Sequence, residues 1–367
     1  MAYYHGLKDY EQPAPWQSDA KWVSERLLTL RSFLYDEIRR DRQPNSLIIG
    51  SWNLVAFDGG LPRLDESYHY IAEIIDHFDI CALQEIKADL GPLKRLMGLL
   101  GPNWDYFVGD VSRGDSGNTE RMAFVYNKNK VFFRNLIGEL VLSTEELING
   151  QPLARSPYLA SFQASWFRFT LCSAHITFGD QQRRADEITA IGKVLVDEAK
   201  KDDQVYVLLG DLNTETGEDI VEQALADTKM EKPDFGATNL NGKNKFDHIA
   251  FTTKGPKGTR KTRLLRSGNF DWRYAVYGAH YDVHPPKDLP ADAHPAASLK
   301  TDADYHAHYE PIFRAQKIFH REEPYKNFAK SYRTFARNEM SDHLPVWVEL
   351  EVDYSNEYLA RFWEADD

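Results

Sequence analysis

Five short segments of the chain carry carboxylate, amide and imidazole side chains of the kind that hold a divalent metal ion against a phosphate group. Four of them follow an apolar run that predicts a buried strand, and polar groups at strand ends converge even when they are far apart in sequence. Hard oxygen ligands without cysteine suit Mg²⁺ or Mn²⁺, and histidines beside them suit proton transfer. The pattern therefore predicts a metal-dependent phosphoesterase. The segments are Ser51-Trp52-Asn53, Leu83-Gln84-Glu85, Ser173-Ala174-His175, Gly210-Asp211-Leu212-Asn213 and Ser341-Asp342-His343, with Phe246-Asp247-His248 between the last two.

Taken together and in this order, the motifs resemble those of the endonuclease/exonuclease/phosphatase superfamily, which has the fold of deoxyribonuclease I. A single tripeptide such as Ser-Asp-His is weak because it arises by chance, whereas the whole set in order is specific. The resemblance covers about residues 46–351. It implies an α+β fold, a four-layer α/β/β/α sandwich of two packed, mostly antiparallel sheets flanked by helices.

The resemblance also implies the metal ligands. Glu85 matches the principal ligand, Asn53 the amide that orients the metal or the phosphate, and Asp342 a second metal-site ligand. Without the resemblance, Glu85 would be read as a surface carboxylate at a strand end and Asn53 as a turn residue. The implied cofactor is Mg²⁺ or Mn²⁺.

The remaining motifs imply the catalytic groups. Asp211 and Asn213 are two residues apart on a segment read as extended, so their side chains are expected to point the same way. By resemblance, Asp211 orients or deprotonates the attacking water and Asn213 donates to a phosphoryl oxygen. His343 resembles the catalytic histidine, with Asp247 as the carboxylate that fixes its tautomer and raises its pKa. His175 matches a histidine that binds phosphate or protonates the leaving oxygen.

Two further features are less specific. Arg121 matches an arginine that contacts the substrate phosphate, and otherwise reads as a surface salt bridge. The cluster His280-x-Asp282-x-His284 could bind a transition metal, but alternate spacing on a short loop is weak evidence. The alternative is a lid of stacked aromatic rings and hydrogen-bonding histidines.

The composition limits the location and the partners. Hydrophobic residues make up 42% of the 367-residue chain, and no apolar run approaches the ~20 residues that a membrane span needs. The N-terminus lacks a secretory pattern, and Cys81 and Cys172 lie in apolar runs that predict buried free thiols. We therefore expect a cytoplasmic protein without membrane association. The net charge of −12 argues against simple nucleic-acid binding, which depends on clustered Lys and Arg, unless one face is locally basic.

The chain divides into an N-terminal helical arm, residues 1–45, and a single domain, residues 46–367. In the arm, apolar residues at helical spacing predict a helix from about Asp19 to Arg40. The domain carries an extended insertion at about residues 254–340, which is basic at first and then rich in aromatic residues and histidines. So long a connection within a compact domain is usually functional or partly folded on its own.

These observations favour a nuclease that cleaves DNA or RNA by in-line attack of an activated water. The basic residues Lys257, Arg260, Lys261 and Arg263, followed by aromatic ones, suit phosphate tracking and base stacking. Two alternatives stay open: a small-molecule or lipid-headgroup phosphoesterase of the same fold, and a catalytically silent binding module. The intact set of acids and histidines argues against the silent module. The oligomeric state does not follow from the sequence.

Overall fold

The apolar runs that precede the polar motifs form the central strands of two sheets, as the sequence predicts. The structure, a computed structural model, describes residues 2–57, 63–111, 120–202, 204–255, 261–278, 286–316 and 328–363. Within these residues the strands are β1 (Ser46–Phe57), β2 (Ile80–Lys87), β3 (Trp104–Val108), β4 (Glu120–Asn127), β5 (Phe132–Glu139), β6 (Tyr158–Ala164), β7 (Phe167–His175), β8 (Val205–Asp211), β9 (Asp247–Phe251), β10 (Leu264–Asn269) and β11 (Val346–Glu351).

Aspartate side chains cap two of the longer helices at their N-termini. The Asp19 carboxylate accepts from the backbone N–H of Trp22 at 2.8 Å, and the Asp180 carboxylate accepts from that of Arg183 at 2.7 Å. The arm helix predicted from the sequence is therefore confirmed, and it continues as one π-turn at Tyr35–Arg39. The α-helices are α1 (Ala20–Leu34), α2 (Asp65–Asp76), α3 (Gly91–Leu100), α4 (Gln181–Lys201), α5 (Asp219–Asp227), α6 (Asp302–Gln316), α7 (Phe328–Glu339) and α8 (Ser355–Trp363).

Two mixed sheets pack face to face. The six-stranded sheet has the order β10-β11-β1-β2-β4-β3, and the five-stranded sheet has the order β5-β6-β7-β8-β9. Only β1 with β2 and β7 with β8 pair in parallel among these strands. Because both parallel pairs are adjacent in their sheets, Asn53 lies beside Gln84 and His175 beside Asp211 at the carboxyl ends of the strands. The predicted fold class is confirmed.

The alternation of side chains along the strands explains why polar groups collect at one end of the sandwich. Leu47 and Ile49 of β1 and Val207 and Leu209 of β8 point into the core between the sheets. The same alternation continues to the carboxyl ends of the strands, where the inward-facing residues are polar. Asp211, two residues after Leu209, therefore faces the same side of the sheet. The sandwich is therefore filled with apolar side chains and closed at one end by a polar layer.

Helices cover the outer faces of both sheets. The arm and the insertion contribute to one apolar cluster with the six-stranded sheet, through residues such as Val23, Trp272 and Phe335. The buried Arg26 of α1 ties these parts together by donating to the carbonyl of Ala275 at 3.1 Å, among other bonds. A separate cluster packs α4 and α5 on the five-stranded sheet. These layers give the α/β/β/α order.

Candidate active site

The carboxyl ends of the central strands meet around one buried oxygen atom, Oδ2 of Asp211. The Asn53 Nδ2 donates to this atom at 3.0 Å and to Glu85 Oε1 at 3.0 Å. The Nε2 atoms of His175 and His343 lie 3.6 Å and 3.7 Å from the same Asp211 oxygen. The structure thus brings together five residues predicted from the sequence, and Asn53 separates two carboxylates that would otherwise repel each other.

A β-bulge turns Glu85 into the site. The alternation along β2 places Gln84 inward, where it donates to the hydroxyls of Ser51 and Ser173 between the sheets. The register with β4 shifts at this point and Glu85 adopts a φ of 61°, which reverses the direction of its side chain. Its carboxylate then accepts from the backbone N–H of Ala56 at 2.6 Å. A non-glycine residue at positive φ stores strain of a kind that clusters at functional sites.

His343 and Asp247 form a buried ion pair, as predicted. The Nδ1 of His343 lies 2.8 Å from Asp247 Oδ2, and Asp247 pairs with Asp211 across β9 and β8. Burial alone would lower the pKa of His343, but the carboxylates of Asp247 and Asp211 raise it well above its usual range. These carboxylates therefore favour the protonated imidazole, which presents Nε2 to the centre of the site.

The backbone that follows β8 differs from the extended segment expected at Asp211 and Asn213. Asn213 has a φ of 52°, so it lies past the strand end in a left-handed turn. Its backbone N–H donates to Asp211 Oδ1 at 2.9 Å, and its side-chain Nδ2 donates to the carbonyl of Ile176 at 2.7 Å. Asn213 thus shapes the turn, and one N–H of its amide is already used within the protein.

Glu120 is a site residue that the sequence analysis missed. Its Oε2 lies 3.4 Å from His175 Nδ1, and its Oε1 lies 3.0 Å from Lys87 Nζ. Burial would raise the pKa of Glu120, but contacts with His175 and Lys87 lower it. Ligand atoms of Glu85, Glu120 and His175 all lie within 4.8 Å of one another, a group that could hold a metal ion. The only sequence signal was its position directly before Arg121.

Asp342 lies on the other side of the site. Its Oδ1 is 3.9 Å from His343 Nε2, and its Oδ2 forms an ion pair with Arg337 at 2.8 Å. Of the two predicted carboxylate ligands Glu85 and Asp342, only Glu85 belongs to the group of described acids and histidines that could hold a metal ion, and the Asn53 amide lies 3.0 Å from Glu85 Oε1.

Arg121 lies in a cleft beside the site. Its Nη1 donates to the carbonyl of Gly109 at 3.0 Å. The cleft has a volume of about 560 Å³ and is also lined by Arg155 and by the acids Asp110 and Glu139. Because Arg155 Nη1 lies 3.8 Å from Glu120 Oε2, the cleft adjoins the metal-binding group. Arg121 is therefore close to the site but outside its centre.

The basic stretch of the insertion does not reach the site where the structure describes it. Arg263 pairs with Glu351 at 2.9 Å, and Arg266 pairs with Glu349 at 2.7 Å. Glu351 lies opposite Ser46, seven residues before Asn53 on β1 and hence about 23 Å away along the strand. Arg263 lies toward the opposite end of the sandwich and pairs with an acid there, so its part in tracking a longer substrate stays a prediction. Lys257, Arg260 and the His280-x-Asp282-x-His284 cluster lie outside the described residues.

Among the helices that the structure describes, none is long and apolar enough to cross a membrane.

Comparison with known proteins supports the relationship. A sequence profile described as the Endonuclease/Exonuclease/phosphatase family matches residues 50–343. An endonuclease/exonuclease/phosphatase family protein from Bacteroides thetaiotaomicron is 18% identical with a TM-score of 0.51, over 86% of this chain and 98% of that one. The human nocturnin catalytic domain with bound sulfate is 12% identical with a TM-score of 0.50, over 84% and 95% of the two chains.

A third solved structure, D. rerio TDP2 humanised by 14 mutations, is 12% identical with a TM-score of 0.50, over 83% of this chain and 99% of that one. At such identities the solved structures show the fold alone, and no curated protein matches the sequence significantly. The profile, however, spans well over half of the chain and the motifs that form the site. The chain belongs to the endonuclease/exonuclease/phosphatase family.

Proposed function

We propose that this protein is a divalent-metal-dependent phosphodiesterase that acts on nucleotide substrates. One observation carries the proposal: an amide and two imidazoles surround a buried carboxylate oxygen of Asp211, and a metal-binding group of two carboxylates and a histidine lies beside it. The cationic imidazole of His343 and a carboxylate able to accept a proton are what in-line hydrolysis of a phosphate ester needs.

The residues present suit a hard divalent cation. In the structure, Glu85, Glu120 and His175 would hold it. The family resemblance implies a different set, in which Asn53 and Asp342 join Glu85. When bound, such an ion neutralises phosphoryl charge and stabilises the leaving oxygen. Carboxylate oxygens with one imidazole suit Mn²⁺ at least as well as Mg²⁺, which prefers oxygen alone.

The protein groups then have separate tasks. Asp211, kept in place by Asn53, orients the attacking water and accepts its proton at Oδ2. His343, charged because Asp247 lies 2.8 Å from its ring, donates from Nε2 to a phosphoryl oxygen. His175 faces Glu120 with one nitrogen and Asp211 with the other, so it either ligates the metal or protonates the leaving oxygen.

The substrate class is the finer part of the proposal. The cleft lined by Arg121 and Arg155 is of a size for a nucleotide and carries acids as well as arginines, which suits a nucleotide base and sugar beside a phosphate. A nuclease that cleaves DNA or RNA is the form we favour. A small phosphodiester is the alternative, because the basic residues Arg263 and Arg266 are used in ion pairs far from the site.

A panel assay tests the proposal. Purified protein would be incubated with plasmid, single-stranded DNA, RNA and bis-p-nitrophenyl phosphate, with Mn²⁺, Mg²⁺ or excess chelator. We expect metal-dependent hydrolysis of at least one polynucleotide. Hydrolysis of the small diester alone would favour the small-molecule alternative. Binding of nucleic acid with no hydrolysis in any metal would refute the enzyme and favour a silent binding module.

A further inference from the structure

The last turn of α7 fixes one exposed arginine of the insertion at the rim of the site. The helix is anchored by Glu339, whose carboxylate accepts from the backbone N–H of Leu64 at 2.7 Å and from the hydroxyl of Ser67. Immediately after the helix, Ser341 donates to the carbonyl of Asn53 at 2.6 Å. Because these bonds are buried and tie α7 to β1 and α2, the position of the helix end relative to the site is well determined.

Arg337 lies on the exposed side of this anchored helix. Its Nη2 forms an ion pair with Asp342 Oδ2 at 2.8 Å, and the other oxygen of Asp342 lies 3.9 Å from His343 Nε2. One carboxylate group therefore separates the guanidinium from the catalytic imidazole. The side chains of Arg337 and Asp342 are 48% and 32% exposed, so the pair contributes little to stability and a ligand can reach it.

We propose that Arg337 binds a second phosphate group of the substrate, beside the phosphate that is hydrolysed. The inference rests on the proposed phosphodiesterase function and names the substrate class more closely. A guanidinium offers two parallel N–H donors that match a phosphate, and Arg337 faces solvent next to the point where His343 would hold the scissile phosphate. Arg333 is also exposed, one helical turn earlier on the same helix.

The second phosphate has two possible sources with the same chemistry: the next backbone phosphate of a polynucleotide, or a terminal phosphate of a small nucleotide. Either would bring a second anion to Arg337 beside Asp342, so the phosphate and the carboxylate would share the N–H donors of one guanidinium. Other described cationic side chains of the insertion are less suited. Arg263 and Arg266 lie toward the opposite end of the sandwich, and Arg314 pairs with Glu310 on its own helix.

The test compares two chromogenic substrates that differ only in this group: thymidine 5′-(p-nitrophenyl phosphate) with and without a 3′-phosphate. The measured quantity is the ratio of the two kcat/KM values, in which any general loss of activity cancels. We expect the wild type to prefer the 3′-phosphorylated substrate and Arg337→Ser to reduce the ratio by about tenfold, as the loss of one charged hydrogen bond would. Arg337→Lys should keep part of the preference, and Arg314→Ser, the matched control in the same insertion, should keep all of it.

A wild-type ratio near one, or the same ratio in wild type and Arg337→Ser, would overturn the inference. If the ratio behaves as expected, the same variants assayed on the dinucleotide dTpdT and on longer oligothymidylates separate the two sources. If the wild type prefers longer oligonucleotides and the Arg337→Ser variant does not, the second phosphate belongs to a polynucleotide. If neither protein prefers longer substrates, it belongs to a small nucleotide. If the wild type hydrolyses neither thymidine ester nor any substrate of the panel assay, the phosphodiesterase proposal fails. Calorimetric binding of thymidine 3′,5′-bisphosphate with Ca²⁺ then still tests Arg337, since equal Kd values in wild type and the Ser variant would refute it.

Discussion

Glu85 is the residue on which we expect the proposed metal chemistry to depend, because it belongs both to the predicted ligands and to the group in the structure that could hold a metal ion. Glu85→Gln keeps the acceptor for the Ala56 N–H but removes the charge. We expect kcat to fall by several orders of magnitude while the melting temperature stays close to that of the wild type. Glu310→Gln, at a side chain of α6 that is 40% exposed, is the control and should leave both quantities nearly unchanged. Full activity of the Gln variant in Mn²⁺ would refute the assignment.

Asp247 and His343 should act as one unit, since the carboxylate is what keeps the ring charged and oriented. Asp247→Asn should lower kcat by roughly 10²-fold or more, the scale of acid–base effects, and His343→Ala by at least as much. The double variant should lose little beyond the larger single loss. A double-mutant cycle measured with bis-p-nitrophenyl phosphate checks this. Strictly additive losses would show that the two residues work separately.

For Glu120 we predict an effect on metal affinity, which can be measured separately from turnover. If it is a ligand, Glu120→Gln should weaken Mn²⁺ binding by at least about 10-fold, as even partners that support the ligands do when changed. His175→Asn should weaken Mn²⁺ more than Mg²⁺, because imidazole favours Mn²⁺. Calorimetric titration without substrate measures both effects. Glu139→Gln, in the adjoining cleft, is the matched control, and equal Kd values in all four proteins would assign the metal elsewhere.

At the level of elements, the sequence predicted the strand ends better than the direction of individual side chains. Asn53 and Asp211 follow apolar runs whose alternation continues into the site, so their placement could be foreseen. Alternation along the strand does not place Glu85 in the site, because only a bulge in β2 turns it inward, and its assignment as a ligand depended on the family resemblance. Glu120 opens β4 with no apolar run before it, so no strand end marked it.

The ion-pair partners of the basic stretch also could not be predicted from the sequence. Arg263 lies just before β10 and Arg266 lies within it. This strand pairs with β11, more than eighty residues later in the chain. Only that long-range pairing brings Glu351 beside Arg263 and Glu349 beside Arg266. Local charge alone could not distinguish an arginine that binds substrate from one that neutralises a neighbouring strand.

We expect Arg26 to contribute strongly to stability, because it joins α1 to the insertion. Its fully buried guanidinium donates to Ala275 O, Tyr305 Oη and Ser298 O at 3.1, 3.1 and 2.7 Å. Arg26→Met removes these three bonds and the buried partner of the Glu25 carboxylate, so we expect a loss of about 3–5 kcal/mol in the free energy of unfolding by urea. Arg40→Met, which removes a more exposed pair with Asp292, should cost under about 1 kcal/mol. Equal losses would show that the buried contacts contribute no more than the exposed pair.

For the whole molecule, two buried acids predict the pH dependence of stability. Burial raises the pKa of Glu66 to about 7 and that of Glu339 to about 8. The folded protein therefore keeps protons that the unfolded chain releases above about pH 4, so these groups favour folding at low pH and lose that contribution as pH rises to 8. Each can change stability by up to about 1.4 kcal/mol per pH unit. Urea unfolding between pH 5 and 8 should show a shallower decline in Glu339→Gln than in wild type, whereas an identical slope would refute the raised pKa.

The pairing of β1 with β11 has a consequence for how the protein is made. Ser46 lies opposite Glu351, and Trp52 Nε1 donates to the carbonyl of His343 at 3.0 Å, so the first strand of the sandwich needs a partner synthesised some 300 residues later. Translation at ~5–20 residues per second leaves that partner missing for ~15–60 seconds, while most side chains of the candidate site have already emerged. The site therefore receives His343 only near the end of synthesis. If the protein hydrolyses RNA as proposed, this order of synthesis delays the activity, on a ribosome surrounded by RNA, until β11 has emerged.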